Sequence, residues 1–317
     1  MATPVETAKP AAFSFVGMFN RARLGFPRYF FQGDGRMSSD LMCTTVFREL
    51  RKRGMRRIAT TTRHRDLFRH NPDLDKIIYH PRPHIDHWLR QGLPFVRFEQ
   101  AAYDPTRDAD VAPEDHVLIQ MCRRANLTGK VELRPYLFLT PAEFAAGRLG
   151  NNQITMQSSN LASPNPMHNR EWYPSRFQET CAEVRTDVTV VQIGAASDPK
   201  LEGAIDLRGK TTLRQAAAIL AQSLVFVGLA GFLMHLARAV DCRSVIIYGG
   251  REKPSQTGYV ANKNLYSQVR CAPCWLRNPC EFDRKCMSMI TVDQVVAATA
   301  EQISRYGTLL EVQTATL

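Results

Sequence analysis

Residues Ala204–Gly250, AIDLRGKTTLRQAAAILAQSLVFVGLAGFLMHLARAVDCRSVIIYGG, read in order as turn, helix, strand, tight turn, helix and strand. Apolar β-branched runs joined to helical pieces in this way make a βαβ unit. Thr212 and Gln215 form a capping box that opens the first helix. LVFVG (224–228) is short and uncharged, as expected of a strand covered on both faces of a parallel sheet. Gly228 and Gly231 turn the backbone sharply into a second helix that begins near Phe232, with His235 in its first turn. A helix N-terminus at the carboxyl end of such a strand is a phosphate site, because its free N–H groups and dipole favour negative charge.

Outward from this unit, the same alternation continues in both directions. Upstream, QGDGRMSSDLMCTTVFRELRKRG (32–54) is a glycine-containing loop entering a helix with Leu41, Val46, Phe47 and Leu50 inward, closed by Gly54. RIATTT, DKIIYH and FVRFEQ follow as strands, with a short helix around HRDLFRHN and a longer one in EDHVLIQMCRRANL that turns Leu118, Met121 and Cys122 inward. RPYLFLT closes this first domain, and AEFAAGRLGNNQ reads as a hinge. ITMQSS, a loop with Trp172, a helix and DVTVVQIG then lead into the opening stretch. Thr291 and Gln294 cap a last helix. Cys43 and Cys122 read as small core residues.

DLRGKTTL, LVFVG, MHLARAV and VIIYGG match, in order and spacing, the donor-binding half of glycosyltransferase family 9, the heptosyltransferase-like enzymes, which the chain resembles over about residues 30–305. The resemblance implies an α/β chain of GT-B fold, two Rossmann-like domains facing across a cleft. Residues 1–25 are then an N-terminal extension, 26–145 an acceptor domain, 146–305 a donor domain with a cysteine-rich loop at 266–290, and 306–317 a tail. It implies donor contacts at Ser158 and Ser159, at Arg170 two residues before Trp172 where the family has lysine, at Lys210 and Thr211, and at Ala230, Gly231, Phe232, Leu233 and His235. At Ala230 the family has an acid. The family's catalytic aspartate falls at Ser38 and Ser39, with Asp40 next and a literal Gly33-Asp34 further upstream. Asp40 is the first candidate base and Asp34 the second, since a carboxylate can accept a sugar hydroxyl proton near neutral pH. Helix capping explains Ser38, Ser39 and Asp40 equally well. The last helix, by the same resemblance, returns toward the first domain.

The activity so implied is inverting, metal-independent transfer of a sugar such as heptose from a nucleotide-diphosphate donor, ADP-heptose or similar. The acceptor is a glycan, lipopolysaccharide, lipid-linked or protein hydroxyl. Two other readings stand beside it. The replacement of family acids at Ala230 and Ser39 suits a silent relative that binds nucleotide or glycan without turnover. A nucleotide-sugar epimerase shares the fold but fits KTTL and MHLA less well.

Cys271, Cys274, Cys280 and Cys286, in CAPCWLRNPCEFDRKCM, give C-x2-C-x5-C-x5-C. They are close enough to fold around one zinc or iron ion in a structural role, and equally admit free thiols or a disulfide pair. The autotransporter-modifying branch of the family resembles the chain in using a cysteine-bound iron finger. No cofactor is required for catalysis. His80, His84 and His87 make a poor metal set, because Pro81 and Pro83 keep His80 and His84 off one helix face.

With 317 residues, 44% hydrophobic and 22% charged, the chain has the composition of a two-domain globular protein. No apolar run approaches the ~18 residues of a membrane span. Residues 1–12, rich in Ala, Pro and Thr, are expected to be disordered and lack the features of a secretory signal, so a cytoplasmic location is expected. Phe13–Phe31 is aromatic and basic and is expected to pack onto the first domain. The net charge of +11 calls for an anionic partner. No nucleic-acid motif is present. Arg51, Lys52, Arg53, Arg56 and Arg57 suit a solvated helix end first, and a phosphorylated acceptor or the anionic inner face of the cytoplasmic membrane second.

Overall fold

The computed structural model describes residues 22, 27–79, 95–97, 102–186, 188–306 and 313–317. The expectations for residues 1–12 and for His80, His84 and His87 lie outside the described residues. The chain divides into two compact units. Unit one takes the described residues of 1–100 with 118–138 and 314–317, and unit two takes 101–117 and 139–313. The chain therefore passes between the units several times, where the sequence reading places one boundary near 145.

Unit one is built on a parallel four-stranded sheet in the order Lys76–Tyr79, Ile58–Thr62, Tyr29–Gln32, Phe95–Arg97. Every residue of Ile58–Thr62 is buried, consistent with cover on both faces. The Met37–Lys52 helix buries Leu41, Val46, Phe47 and Leu50, the apolar set read from the sequence. Arg53 then Gly54, at φ +75°, end it; glycine takes that left-handed conformation without a Cβ penalty. The Val117–Arg124 helix buries Leu118, Met121 and Cys122. The last strand, Thr314–Thr316, pairs antiparallel with Lys130–Glu132, so the tail belongs to this unit.

Unit two carries a six-stranded parallel sheet in the order Ile205–Asp206, Val190–Gln192, Ile154–Met156, Phe226–Leu229, Ser244–Gly249, Lys263–Tyr266. Phe226–Leu229 and Ser244–Gly249 are buried throughout, as the uncharged run predicts. The chain builds outward from Ile154–Met156 to one edge, then returns to lay Phe226–Leu229 on its other side. This reversal is the topological switch point of a doubly wound sheet. Thr212 and Thr291 form the two expected capping boxes, each accepting from the backbone N–H of a glutamine that reaches back to the cap. Trp172, Phe177, Val227, Val245 and Val295 meet in the core, each such side chain stabilising by about 1.5–3 kcal/mol on burial. The indole of Trp172 donates to the carbonyl of Ile290 at 3.1 Å.

Two segments, Pro141–Ala146 and Tyr103–Asp110, differ from the sequence reading. The expected hinge opens with a helix, Pro141–Ala146, capped by Thr140 and tied to the Leu213–Ala221 helix through Glu143 and Arg214 at 2.5 and 2.6 Å. The Val292–Ser304 helix packs on Pro174–Val184 and Ser244–Gly249 within unit two; Val295 and Ala298 are its buried contacts there. Tyr103–Asp110 also belongs to unit two, because Asp110 pairs with both Arg251 and Arg277. Arg251 is fully buried, and the Arg277 guanidinium lies 3.8 Å from the centre of the Tyr103 ring.

Candidate functional site

In unit one, the carboxyl ends of two neighbouring strands bring together Gly33, Asp40, Thr62 and His64. Asp40 sits in the first turn of its helix, only 2% exposed. The Thr62 hydroxyl donates to Asp40 Oδ2 at 2.6 Å, and His64 Nδ1 lies 3.0 Å from the same oxygen. The backbone N–H of His64 donates to Thr62 Oγ1 at 2.8 Å, which closes the cluster. Gly33 gives room for it, since a Cβ there would lie 2.0 Å from Asp40 Oδ1. Asp34, the second candidate base, accepts from the backbone N–H of Arg36 at 2.9 Å and so shapes the loop. Ser39 is wholly buried.

In unit two, the switch point sets the end of Ile154–Met156 beside the turn at Ala230 and Gly231. Asn160 bridges them: its Nδ2 donates to the Ala230 carbonyl at 3.3 Å and its Oδ1 accepts from Gln157. The approach at Gly231 is close, a Cβ there meeting Asn160 Nδ2 at 2.9 Å. Gly231 caps the Phe232–Ala239 helix without a side-chain hydrogen bond, leaving the first N–H groups of that helix as donors for an anion. Ala230 and Leu233 are buried and Phe232 half-buried.

The remaining expected donor residues are placed as follows. Ser158 donates to the Pro199 carbonyl at 2.6 Å and accepts from Gln192, so its hydroxyl braces the strand end. Ser159 Oγ accepts from the backbone of Leu161, and Ser159 lines a cavity of about 450 Å³ with Glu171, Trp172, Tyr173, Asp198 and Arg284. Burial raises the Asp198 carboxyl to about 6 and pushes Glu171 upward as well. Arg170 is partly exposed, and its Nε donates to buried Glu252 at 2.6 Å. Burial opposes the charge on Glu252, yet Arg170 and Arg251 hold its carboxyl below the ordinary range. Lys210 is exposed and donates to the Asp206 carbonyl, and Thr211 lies in the turn before the Thr212 cap. His235 is buried, its Nδ1 2.6 Å from the Tyr259 hydroxyl, with the two rings edge to face. Burial, then nearby His116, lowers its pKa to about 3, so it is a neutral imidazole held against Tyr259.

The four cysteines line one cavity of about 470 Å³ together with Arg251, Leu276, Phe282 and Arg284. All four are free thiols, Cys271 and Cys280 exposed and Cys274 and Cys286 half-buried. They surround the cavity without converging. Among the described residues no group of three or more His, Cys, Asp or Glu is placed to hold a metal ion.

Thr62, His64, Asn160 and Glu252 were not picked out from the sequence. Thr62 and Asn160 share one signal that marks them, a polar residue at or just past the carboxyl end of a parallel strand.

Residues 183–284, about a third of the chain, match the family model described as glycosyltransferase family 9 (heptosyltransferase). Among curated proteins none matches the chain. Among solved structures, the chain is similar to the ADP-heptose LPS heptosyltransferase II of E. coli, at TM-score 0.65 and 14% identity over 88% of this chain and 99% of that one. A family 9 glycosyltransferase of Veillonella parvula superposes at TM-score 0.63 and 13% identity, over 88% and 97%. TibC of enterotoxigenic E. coli, described as an iron-containing dodecameric heptosyltransferase and solved with ADP-D-beta-D-heptose, gives 0.66 and 15%, over 88% and 76%. At such identity these likenesses establish the fold. The chain therefore carries the glycosyltransferase family 9 pattern in residues 183–284, on the GT-B fold of the solved heptosyltransferases.

Proposed function

We propose that the chain transfers a sugar from a nucleotide-diphosphate donor to a hydroxyl acceptor, with inversion at the anomeric carbon. The observation that carries this reading is the switch point of unit two, where the uncapped Gly231–Phe232 helix start stands at the end of Phe226–Leu229, inside the matched residues 183–284. The backbone N–H groups of Phe232 and Leu233, the Arg170 guanidinium and Lys210 meet the charge that develops on the departing diphosphate. Fixed donors of this kind stabilise a transition state without reorganising. Unit one supplies the base through Asp40 and the groups it binds.

TibC is solved with ADP-D-beta-D-heptose, and the E. coli neighbour is named for ADP-heptose and lipopolysaccharide. The donor read for this chain is accordingly ADP-heptose or a close analogue, and the acceptor a glycan, lipopolysaccharide or protein hydroxyl. The enzyme is read as cytoplasmic, and its net charge of +11 suits an anionic acceptor or the anionic inner face of the membrane. The test is release of ADP from ADP-heptose with lipopolysaccharide core and serine-containing peptides as acceptors. Acceptor-dependent release with a sugar-mass gain on the acceptor supports transfer. Binding without release identifies the silent relative, for which Ala230 in place of an acid is the motive.

Zinc or iron at Cys271, Cys274, Cys280 and Cys286 is a separate, structural proposal, supported by four soft donors around one cavity and by the iron described for TibC. As placed, the thiols do not form a ligand set, so binding requires the 271–286 loop to tighten. Elemental analysis of protein purified under reducing conditions decides it: about one metal ion per chain supports the proposal and none refutes it.

A further inference from the structure

We infer that His64 takes the proton from the acceptor hydroxyl and that Asp40 orients it. This rests on the transferase reading above, where the base is otherwise the Asp40 carboxylate itself. That carboxylate is badly placed to meet a sugar. Its side chain is 3% exposed, Oδ2 already accepts from Thr62 and faces His64, and Oδ1 is packed against Gly33. The His64 side chain, by contrast, is 22% exposed.

The local geometry fixes which nitrogen is basic. Nδ1 lies 3.0 Å from Asp40 Oδ2, and since an ionised carboxylate only accepts, this pairing favours the Nδ1–H tautomer with the lone pair on Nε2. Nε2 has no partner among the described residues. The backbone of His64 is held beside the carboxylate, its N–H donating to Thr62 Oγ1 at 2.8 Å while the Thr62 hydroxyl donates to Asp40 at 2.6 Å. A carboxylate behind an imidazole holds its tautomer and stabilises the imidazolium that forms, as in hydrolytic triads.

The acceptor O–H bond breaks, its proton passing to His64 Nε2 and its electron pair attacking the anomeric carbon. The bond from that carbon to the diphosphate oxygen breaks, and its pair leaves with the nucleoside diphosphate. The product is one glycosidic bond, one nucleoside diphosphate and an imidazolium facing Asp40. Proton release to water restores the base.

The experiment compares wild type, His64→Ala, His64→Gln and Asp40→Asn for ADP release from ADP-heptose with acceptor present, beside ADP affinity measured by titration. His64→Ala is expected to lose about 10²–10⁴-fold in kcat with KM for donor and ADP affinity within about twofold, and to regain rate with added imidazole. Asp40→Asn is expected to lose rate too, and nitrogen-15 NMR should show the His64 Nδ1–H tautomer in wild type and its loss in Asp40→Asn. An unchanged urea-denaturation midpoint shows that unit one, which holds both residues, still folds in each variant, and retained ADP affinity shows the same for unit two. Wild-type kcat in His64→Ala overturns the assignment, as does an Nε2–H tautomer in the wild type. Absence of transfer by the wild type from any nucleotide sugar overturns instead the transferase reading, and this inference with it.

Discussion

Gly33→Ala puts a single methyl group against the Asp40 carboxylate that orients His64. The backbone at Gly33 is outside the left-handed region, so alanine enters without strain of its own. Its Cβ would lie 2.0 Å from Asp40 Oδ1, whereas Cβ contacts under 3.0 Å are essentially never seen. The carboxylate must therefore retreat by about 1 Å. It cannot retreat freely, because Oδ2 is held by Thr62 at 2.6 Å and by His64 at 3.0 Å. A displacement of this size in a catalytic group costs on the order of 10²-fold in rate. Overpacking adds about 1–3 kcal/mol of destabilisation. The assay is steady-state ADP release paired with calorimetric ADP binding and urea denaturation. The expected pattern is kcat down by about 10², ADP affinity unchanged since the contacts proposed for it lie in unit two, and a modest loss of stability. Wild-type kcat in a folded Gly33→Ala protein would refute the role given to the Asp40 cluster.

Gly147→Ala should cost more in stability than Gly33→Ala, since its Cβ would lie 2.0 Å from the backbone carbonyl of Ala218, which cannot swing aside; urea denaturation showing a loss below about 1 kcal/mol contradicts that packing. Asp110→Ala removes the carboxylate shared by Arg277 and fully buried Arg251, leaving Arg251, among the described residues, only the Glu252 carboxylate at 3.6 Å, and is expected to cost about 3 kcal/mol in the same assay, where a neutral effect would show the network to be dispensable. Burial lowers His116 to about 4 and His235 to about 3. Below the ordinary imidazole pKa of about 6.5 the unfolded chain thus binds protons that the native chain refuses, and stability present above that pH is lost as pH falls toward 4. Asp198, raised to about 6, works the other way between about 4 and 6, and Glu171 and Asp73, also raised, oppose the histidines in the same sense. Denaturation midpoints at pH 7 and pH 5 should differ, and His116→Gln should narrow the difference; an unchanged gap removes His116 as a cause.

Much of the architecture was legible in residue patterns, for identifiable reasons. Strands buried on both faces, such as Phe226–Leu229, carry no charge, and helices such as Met37–Lys52 and Leu213–Ala221 announce themselves by apolar spacing and by Thr–Gln capping boxes. What was hidden depends on contacts far apart in sequence. The Tyr103–Asp110 segment falls to unit two because one carboxylate meets arginines well over a hundred positions away, and no local pattern encodes that. Pro141–Ala146 was short enough to pass for a linker although Thr140 and Glu143 spell a capping box. At the site, Asp40 was legible as a carboxylate at a helix start. Its partners Thr62 and His64 were not, since they sit on another strand's end and look like ordinary loop residues. Arg170 and His235 were read as ligand contacts, and their protein partners Glu252 and Tyr259 became visible only in three dimensions.

The most direct measurement is the thermal stability of the protein in the presence of ADP, other nucleoside diphosphates and ADP-heptose. A ligand that binds only the folded state stabilises it by about 2.7 kcal/mol at a hundredfold excess over its Kd. The result expected is a selective rise in Tm with one nucleoside diphosphate and with its sugar conjugate, abolished when the Phe232–Ala239 helix start is blocked by Gly231→Val. No rise with any of them would contradict a nucleotide-diphosphate donor site in unit two.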